Sequence, residues 1–182
     1  RSKSVNISMF KNELGFGGAR RNLFRVDGIF PGESVAAAGL NPSNKIRFFF
    51  FVASLPEANL GVCTVPFQGR YLKLAGDRAF APWSITVYND NDFSLRNAFE
   101  RWSDIMNRIE SNVGRNGLAS YAFDWTVTQI DREGKDVKKY SFVDSWPSVV
   151  SSIDLDQTPA TEIETFQVTL QYQYYRTLGT TS

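Results

Sequence analysis

Residues 163–175 have the sequence IETFQVTLQYQYY, in which polar and apolar side chains alternate. Because successive side chains of a β-strand point to opposite faces, this period of two predicts a long strand. One predicted face carries Glu164, Phe166, Val168, Leu170, Tyr172 and Tyr174. The other face carries Thr165, Gln167, Thr169, Gln171 and Gln173. We expect the first face to pack on a core and the second to stay in contact with water.

The second face of this strand is polar but has no charge. The exposed face of a monomer usually carries Lys and Glu, whereas an uncharged Thr/Gln face on a long strand favours pairing with other chains. One interpretation is therefore a strand that joins a continuous sheet between subunits, with its polar face lining a channel. The other interpretation is an ordinary solvated outer face.

Working outward, six further segments have the composition of strands: 23–29, 46–54, 67–75, 83–89, 121–130 and 137–145. A helix is predicted over 93–110, because its apolar residues recur every three or four positions, and Asn91-Asp92 can cap its first turn. The predicted fold is mainly β, an antiparallel sandwich or barrel-like subunit with one flanking α-helix.

Segments rich in Gly, Pro and polar residues divide the chain. Residues 54–66 are expected to form a long loop, since Pro56 and Pro66 bracket it. Gly76-Asp77-Arg78 is expected to be a turn, with strands 67–75 and 83–89 forming a hairpin. The predicted divisions are an N-terminal arm (1–21), a β domain (22–175) with an insert (31–45), and a C-terminal tail (176–182).

The composition excludes several classes of enzyme. The 182 residues include no His and one Cys, with 20 Lys and Arg against 19 Asp and Glu. Without His no Ser-His-Asp or Cys-His triad can form, and the commonest nitrogen ligand of zinc is missing. The scattered Lys and Arg form no basic stripe for gripping phosphate. We predict a protein that is not an enzyme and uses no cofactor or metal.

Carboxylate pairs are the remaining candidates for acid–base chemistry. Asp154 with Asp156, or Glu162 with Glu164, would share a strand face, but nothing in the sequence indicates a cleft around them. The GFGG stretch at 15–18 precedes no long helix and contains no Lys, so it does not fit nucleotide-binding loops. Solvated carboxylates and a flexible arm are the simpler interpretations.

Residues 75–80 read AGDRAF and residues 83–90 read WSITVYND. This stretch resembles the tail tube protein of contractile-tailed bacteriophages, whose family carries a similar AGDR-x-F-x-x-W-x-[IV]-T-V-x-N-D pattern. RNLFRV at 21–26, Trp146-Pro147 and EIETFQVTL at 162–170 agree in order. The motif and core residues are Asn22, Leu23, Phe24, Gly76, Asp77, Arg78, Phe80, Trp83, Trp146, Pro147 and Phe166.

The resemblance implies a structural subunit that assembles into hexameric rings, with the inner sheets joining into one β-barrel around a lumen. The rings would stack into the tail tube of a virion, made in the host cytoplasm, that conducts DNA after the sheath contracts. Implied partners are other copies of the chain, the sheath protein outside, baseplate and tail-terminator proteins at the ends, and DNA passing without specific binding.

The loop 54–66 has the position of the family's loop that packs onto the neighbouring ring. The residues expected to stack are Leu55, Pro56, Glu57, Asn59, Leu60, Val62 and Val65. The arms 1–21 and 176–182 are expected to tie rings together or to contact the sheath.

Two alternative functions stay open. The first is the inner tube of a phage-like contractile injection particle, which uses the same subunit design to deliver protein. The second is a monomeric β-sandwich binding module whose stacking residues would be Trp83, Trp102, Trp125 and Trp146. Trp83 lies on a predicted apolar strand face and Trp102 on the apolar helix stripe, so burial is the expected role for both.

Overall fold

The architecture comes from a computed structural model that describes residue 7 and residues 23–32, 50–108, 114, 117–155 and 161–179, except for the side chains of Phe50 and Phe51. Apart from Ile7, the predicted arm 1–21 lies outside these ranges, as do Asn22 and most of the insert 31–45. The strands are β1 (Phe24–Gly28), β2 (Phe50–Ala53), β3 (Asn59–Phe67), β4 (Arg70–Ala79), β5 (Trp83–Tyr88), β6 (Phe123–Ile130), β7 (Asp136–Val150), β8 (Thr165–Gln171) and β9 (Tyr174–Gly179). Helix α1 spans Ser94–Met106, and a 3-10 helix spans Leu118–Ser120.

Strand β7 has 15 residues and changes partners along its length. Its first part pairs with β6 on one edge and β9 on the other, whereas residues 146–150 pair with β8. Asp144, with a φ of 53°, lies where the partners change. The resulting antiparallel sheet has the order β1-β6-β7-β8-β5-β2, with β9 also beside β7. One long strand therefore joins two parts of the sheet, β1-β6-β7-β9 and β7-β8-β5-β2, and we call these parts the two sheets. Both pack on a common core.

Strands β8 and β9 pair one after the other with β7 and keep the same register. Trp146 pairs with Gln171 and Val143 pairs with Tyr174, so both chains advance by three residues and the register is unchanged. Between them the Gln173 amide donates a hydrogen bond to the Val143 carbonyl oxygen at 3.1 Å. The long C-terminal strand predicted from the alternation is thus present, interrupted at residues 172–173.

The core lies between the sheets and α1 and is largely aromatic. Its fully buried large side chains include Trp83, Trp102, Trp125, Phe99, Phe142 and Phe166. The indole N–H of Trp102 donates to the Tyr121 carbonyl oxygen at 2.6 Å, and that of Trp83 to the Ser54 carbonyl oxygen at 2.7 Å. These bonds remove the cost of burying the two indole donors.

Helix α1 occupies most of the predicted segment 93–110. Leu95, Ala98, Phe99 and Trp102 form its buried face, as their spacing predicts. The cap differs from the expected one. Phe93, with a φ of 51°, occupies the N-cap without a side-chain cap, and its amide donates to the Asp90 carbonyl oxygen at 2.8 Å.

The predicted fold class, mainly antiparallel β with a flanking helix, is confirmed. Strands β6 and β7 are joined by a turn in which the Asp131 amide donates to the Lys135 carbonyl oxygen at 2.8 Å. Within the described ranges, no helix is long and apolar enough to cross a bilayer.

Three predicted boundaries are wrong. Residues 59–66 of the expected loop form β3, since a two-stranded ribbon has free edges where proline is tolerated. Gly76-Asp77-Arg78 is no turn but part of β4, which pairs with β3 instead of β5, and the turn falls at Gln68-Gly69. Residues 176–179 of the expected tail lie in β9, because pairing with β7 continues past Tyr175.

Candidate functional site

The outward face of β5 and β8 is uncharged and polar. In the antiparallel register the facing pairs are Thr165 with Tyr88, Gln167 with Thr86, and Thr169 with Ser84. The Ser84 and Thr169 hydroxyl oxygens are 3.5 Å apart. Gln171 continues the row opposite Trp146 of β7. We call Ser84, Thr86, Tyr88, Thr165, Gln167, Thr169 and Gln171 the polar face, and it contains no Lys, Arg, Asp or Glu.

Only the β8 half of the polar face was predicted from the sequence. The β5 half was visible in the same signal, because WSITVY alternates apolar Trp83, Ile85 and Val87 with its three polar residues. What the sequence does not contain is the adjacency of β5 and β8, which are separated by most of the C-terminal half of the chain.

The fifth predicted residue, Gln173, lies in the break between β8 and β9 and not in the strand. The alternation shifts there. Tyr172 and Tyr175 both pack against the core, while Tyr174, predicted to pack, is exposed. Phe80 has edge-on contacts with Tyr172 and Tyr175, at ring centroid distances of 6.0 and 5.8 Å. Burial is the main cause that raises the pKa of the Tyr172 phenol above its ordinary value.

Strands β7, β8, β5 and β2 lie side by side around the polar face, and the two outer strands, β7 and β2, each have an open edge. Pairing between β6 and β7 ends at Ser145, so residues 146–150 pair only with β8 among the described strands. At the other end, β2 pairs only with β5 among the described strands. Val149 lies opposite Thr169 and Val52 opposite Thr86, and both valines are exposed. An open, uncharged sheet edge is a site for pairing with another chain.

Strands β3 and β4 form a two-stranded hairpin that pairs with no other described strand. By their register, Cys63, Val65, Phe67, Leu72 and Leu74 share one face, with Arg70 at its end. We call these five residues the hairpin apolar face. Its large side chains are exposed, Phe67 at 66%. An exposed apolar face of this size indicates a surface that another molecule covers.

The residues predicted to stack divide between this hairpin and the linker before it. Asn59, Leu60, Val62 and Val65 lie in β3, while Leu55, Pro56 and Glu57 lie in the linker. All are exposed except Pro56, which is half-buried. The hairpin also contains residues that the prediction omitted, including Phe67, Tyr71, Leu72 and Leu74. The predicted strand 67–75 overlaps β4, but β4 pairs with β3 and not with the predicted partner 83–89.

A kink near the base of the hairpin explains the glycine of the AGDR motif. The register of β3 and β4 shifts between Leu60 and Val62, where the Gly61 and Gly76 backbones meet. A Cβ at Gly61 would lie 2.9 Å from the Asp77 carbonyl oxygen, and one at Gly76 would lie 3.2 Å from the Gly61 carbonyl oxygen. Gly61 therefore requires glycine for close backbone approach, and at Gly76 a side chain would be held in tight contact with the facing strand.

The other motif residues lie at this base or in the core. Trp83, Pro147 and Phe166 are buried, whereas Trp146, Phe80, Leu23 and Phe24 are half-buried. At the opposite edge of the fold, Arg25 bonds to Asp27 at 2.8 Å and contacts Asp136 at 3.4 Å. The hydrogen bond to Asp27 is the main cause that raises the pKa of Arg25, and these contacts tie β1 to the start of β7.

In the described part of the chain, no group of three or more His, Cys, Asp or Glu residues is placed to hold a metal ion. Three of the four tryptophans are buried, so they cannot stack on a carbohydrate. An uncharged sheet face, open sheet edges and an exposed apolar hairpin are instead typical of a structural subunit completed by neighbouring chains.

Comparison with known proteins agrees with this class. A family model for phage tail tube proteins matches residues 19–178. Tail tube protein gp19 of Enterobacteria phage T4 is 30% identical over 158 residues, which cover 86% of this chain and 90% of gp19. The tail tube protein of Serratia phage KSP90 is 26% identical over 170 residues, covering 92% and 94% of the two chains.

Solved structures share the fold at lower identity. A chain of the anti-feeding prophage baseplate superimposes with a TM-score of 0.64 at 18% identity, covering 88% of this chain and 95% of that one. A chain of the PVC sheath–tube complex, from an extracellular contractile injection system, gives a TM-score of 0.57 at 14% identity, covering 97% and 99%.

The chain belongs to the phage tail tube protein family. It is a structural protein of the contractile bacteriophage tail and hence a component of the virion, and the resemblance found in the sequence is confirmed.

We predict that Gly61→Ala loosens the hairpin and leaves the main sheet intact. The new methyl group meets the Asp77 carbonyl oxygen, and overpacking of this kind costs about 1–3 kcal/mol. Millisecond hydrogen exchange should show the amides of β3 exchanging about 5- to 150-fold faster, since 1.4 kcal/mol is about tenfold, with β5 unchanged. Gly117→Ala is the control, because its Cβ meets no atom within 4 Å. Equal β3 exchange in both variants would contradict the role of the kink.

Proposed function

We propose that this protein forms hexameric rings whose polar faces together line the lumen of the tail tube, and that the lumen conducts DNA. The observation that carries the proposal is the combination of an uncharged polar face with open edges on the same sheet. The role is mechanical, so the protein needs no catalytic group and no cofactor.

Strand direction supports ring closure through these edges. The strands β7, β8, β5 and β2 alternate in direction, so the first and last run antiparallel to each other. A copy rotated about a ring axis therefore places residues 146–150 antiparallel to β2 of its neighbour. Pairing there would satisfy backbone groups that a lone subunit leaves open, and repetition around a closed ring would remove the edges.

The chemistry of the polar face suits passage of DNA. A DNA duplex carries a dense line of phosphates, and each Lys or Arg that contacts one strengthens binding by releasing counterions. Thr, Ser and Gln side chains hydrate the wall without fixed cations, so DNA slides past instead of being held. Weak contact with the cargo is the property that this face supplies.

The hairpin is proposed to stack one ring on the next. It connects the end of β2 to the start of β5 and exposes an apolar face, which a neighbouring ring would cover. The sheath protein is proposed to surround the tube, and baseplate and terminator proteins to bind its two ends. The structures of the anti-feeding prophage and PVC particles share the fold, but the sequence relatives at 26–30% identity are phage proteins, which favours DNA as cargo.

We predict that Gln167→Lys with Gln171→Lys leaves tubes of normal width but slows DNA ejection by on the order of tenfold or more, most strongly at low salt. Release of DNA from virions built with the variant can be followed by the fluorescence of an intercalating dye. The matched control, Gln167→Glu with Gln171→Glu, repels phosphate and should eject DNA at close to the wild-type rate. If the lysine variant ejects DNA at the wild-type rate, the polar face does not line the lumen.

We also predict that shortening the hairpin separates ring formation from stacking. Deleting residues 65–72 and joining Thr64 to Lys73 through Asn-Gly keeps a paired position next to a two-residue turn. Folded subunits and rings are expected, without tubes, in sedimentation and electron microscopy. Replacing only Gln68-Gly69 by Asn-Gly is the control and should still give tubes. Long tubes from the shortened protein would show that another element stacks the rings.

A further inference from the structure

The two ends of the strands that carry the polar face differ in charge. At one end, before β5 begins, stands the hairpin, whose residues 62–75 contain Arg70 and Lys73 and no carboxylate. At the other end, after β5 and before β8, lie the segments 89–93, 151–155 and 161–164. These contain Asp90, Asp92, Asp154, Glu162 and Glu164 and no Lys or Arg. We call these five residues the acidic end.

The topology brings these three segments together. The Asn89 amide donates to the Glu164 carbonyl oxygen at 2.8 Å, and the Asn89 side-chain amide donates to the Glu164 carboxylate at 2.7 Å. The Ser151 amide donates to the Gln167 carbonyl oxygen at 2.8 Å, which carries the 151–155 segment to the same end. One nearby cation, Arg96, already bonds to the Ser151 carbonyl oxygen and to Glu100, at 3.1 and 2.7 Å.

The acidic end also exposes apolar side chains. Leu155 is 87% exposed, Ile163 is 66% exposed, and Phe93, which follows Asp92, is also exposed. Exposed Leu, Ile and Phe among carboxylates match an apolar surface bordered by cations. The hairpin has that character, with Leu72 and Leu74 on its apolar face, Arg70 at the end of that face, and Lys73 between the two leucines on the opposite face. The two surfaces are therefore complementary in both charge and apolar character.

We infer that the hairpin apolar face docks on the acidic end of a second copy of this chain in the next ring, with Arg70 paired to its carboxylates and Lys73 adding positive charge from the other face of the two-stranded ribbon. This inference rests on the proposed function and specifies its stacking contact. Rings of one orientation present the hairpin on one side and the acidic end on the other, so attraction occurs only head to tail. Two hairpin sides brought together repel, as do two acidic ends, and the charges thus set the direction of growth.

The charge-reversal test uses three variants of the full-length protein. Arg70→Glu with Lys73→Glu, and separately Asp154→Lys with Glu162→Lys, should each raise the critical concentration for tube formation by about tenfold or more. The protein carrying all four changes should assemble again at within about threefold of the wild-type concentration. Arg101→Glu with Arg108→Glu, two exposed cations outside both surfaces, is the control and should assemble normally.

Salt and thiol chemistry give independent readouts on the unmodified protein. Raising NaCl from about 0.05 to about 0.5 M shortens the Debye length to about 4 Å and should raise the critical concentration. Cys63, the single cysteine, lies on the hairpin apolar face and is exposed in the lone subunit. Its thiol should react with a water-soluble disulfide reagent in dissociated subunits and be protected in tubes.

The outcomes separate this inference from the proposed function. Wild-type protein that forms no rings or tubes at any salt contradicts the proposed function itself. Tubes that form but keep Cys63 reactive, or double-reversed variants that assemble like wild type, overturn only the docking contact. If the variant with all four charge reversals has the wild-type melting temperature yet stays disassembled, the charge pairing is also overturned.

Discussion

The change of partners along β7 is the constraint on which the rest of the structure depends. Up to Ser145 this strand is enclosed between β6 and β9, and after Ser145 one of its edges pairs with no described strand. The left-handed backbone of Asp144 and the buried Pro147 lie on either side of the change. The enclosed half anchors the core, and the open half supplies an edge of the sheet that carries the polar face. A uniform β7, paired on both sides throughout, would leave the β2 edge with no open edge of β7 on the next subunit to pair with.

The aromatic core holds this asymmetric sheet in place. Trp83 stacks on Phe142 with ring centroids 4.2 Å apart and thereby fixes β5 against β7. From the other side Phe30 contacts Phe99 of α1 at 4.9 Å and Trp125 of β6 at 5.5 Å. Aromatic pairs of this kind add about 0.5–1.5 kcal/mol beyond area burial. With the core filled from within, the polar face and the hairpin need not contribute to the stability of the subunit, and their sequences are available for assembly.

Local sequence pattern predicted the elements that bury one face. The alternation of β8 and the spacing of Leu95, Phe99 and Trp102 in α1 each follow from contact with a core inside the same chain. The hairpin was misread for the converse reason. Both of its faces are exposed in the subunit, so β3 shows no alternation of burial, and Pro66 near its end and Pro56 in the preceding linker resemble the boundaries of a loop. The acidic end was not predictable either, because its carboxylates come from three separate segments that only the sheet topology gathers.

Electron cryomicroscopy of assembled tubes tests the central claim most directly. The account predicts a continuous inner barrel in which residues 146–150 of one subunit pair antiparallel with β2 of the next, and in which Gln167 and Thr86 point into the lumen. A reconstruction in which the polar face points outward, or in which β2 and β7 of adjacent subunits are not neighbours, would contradict it.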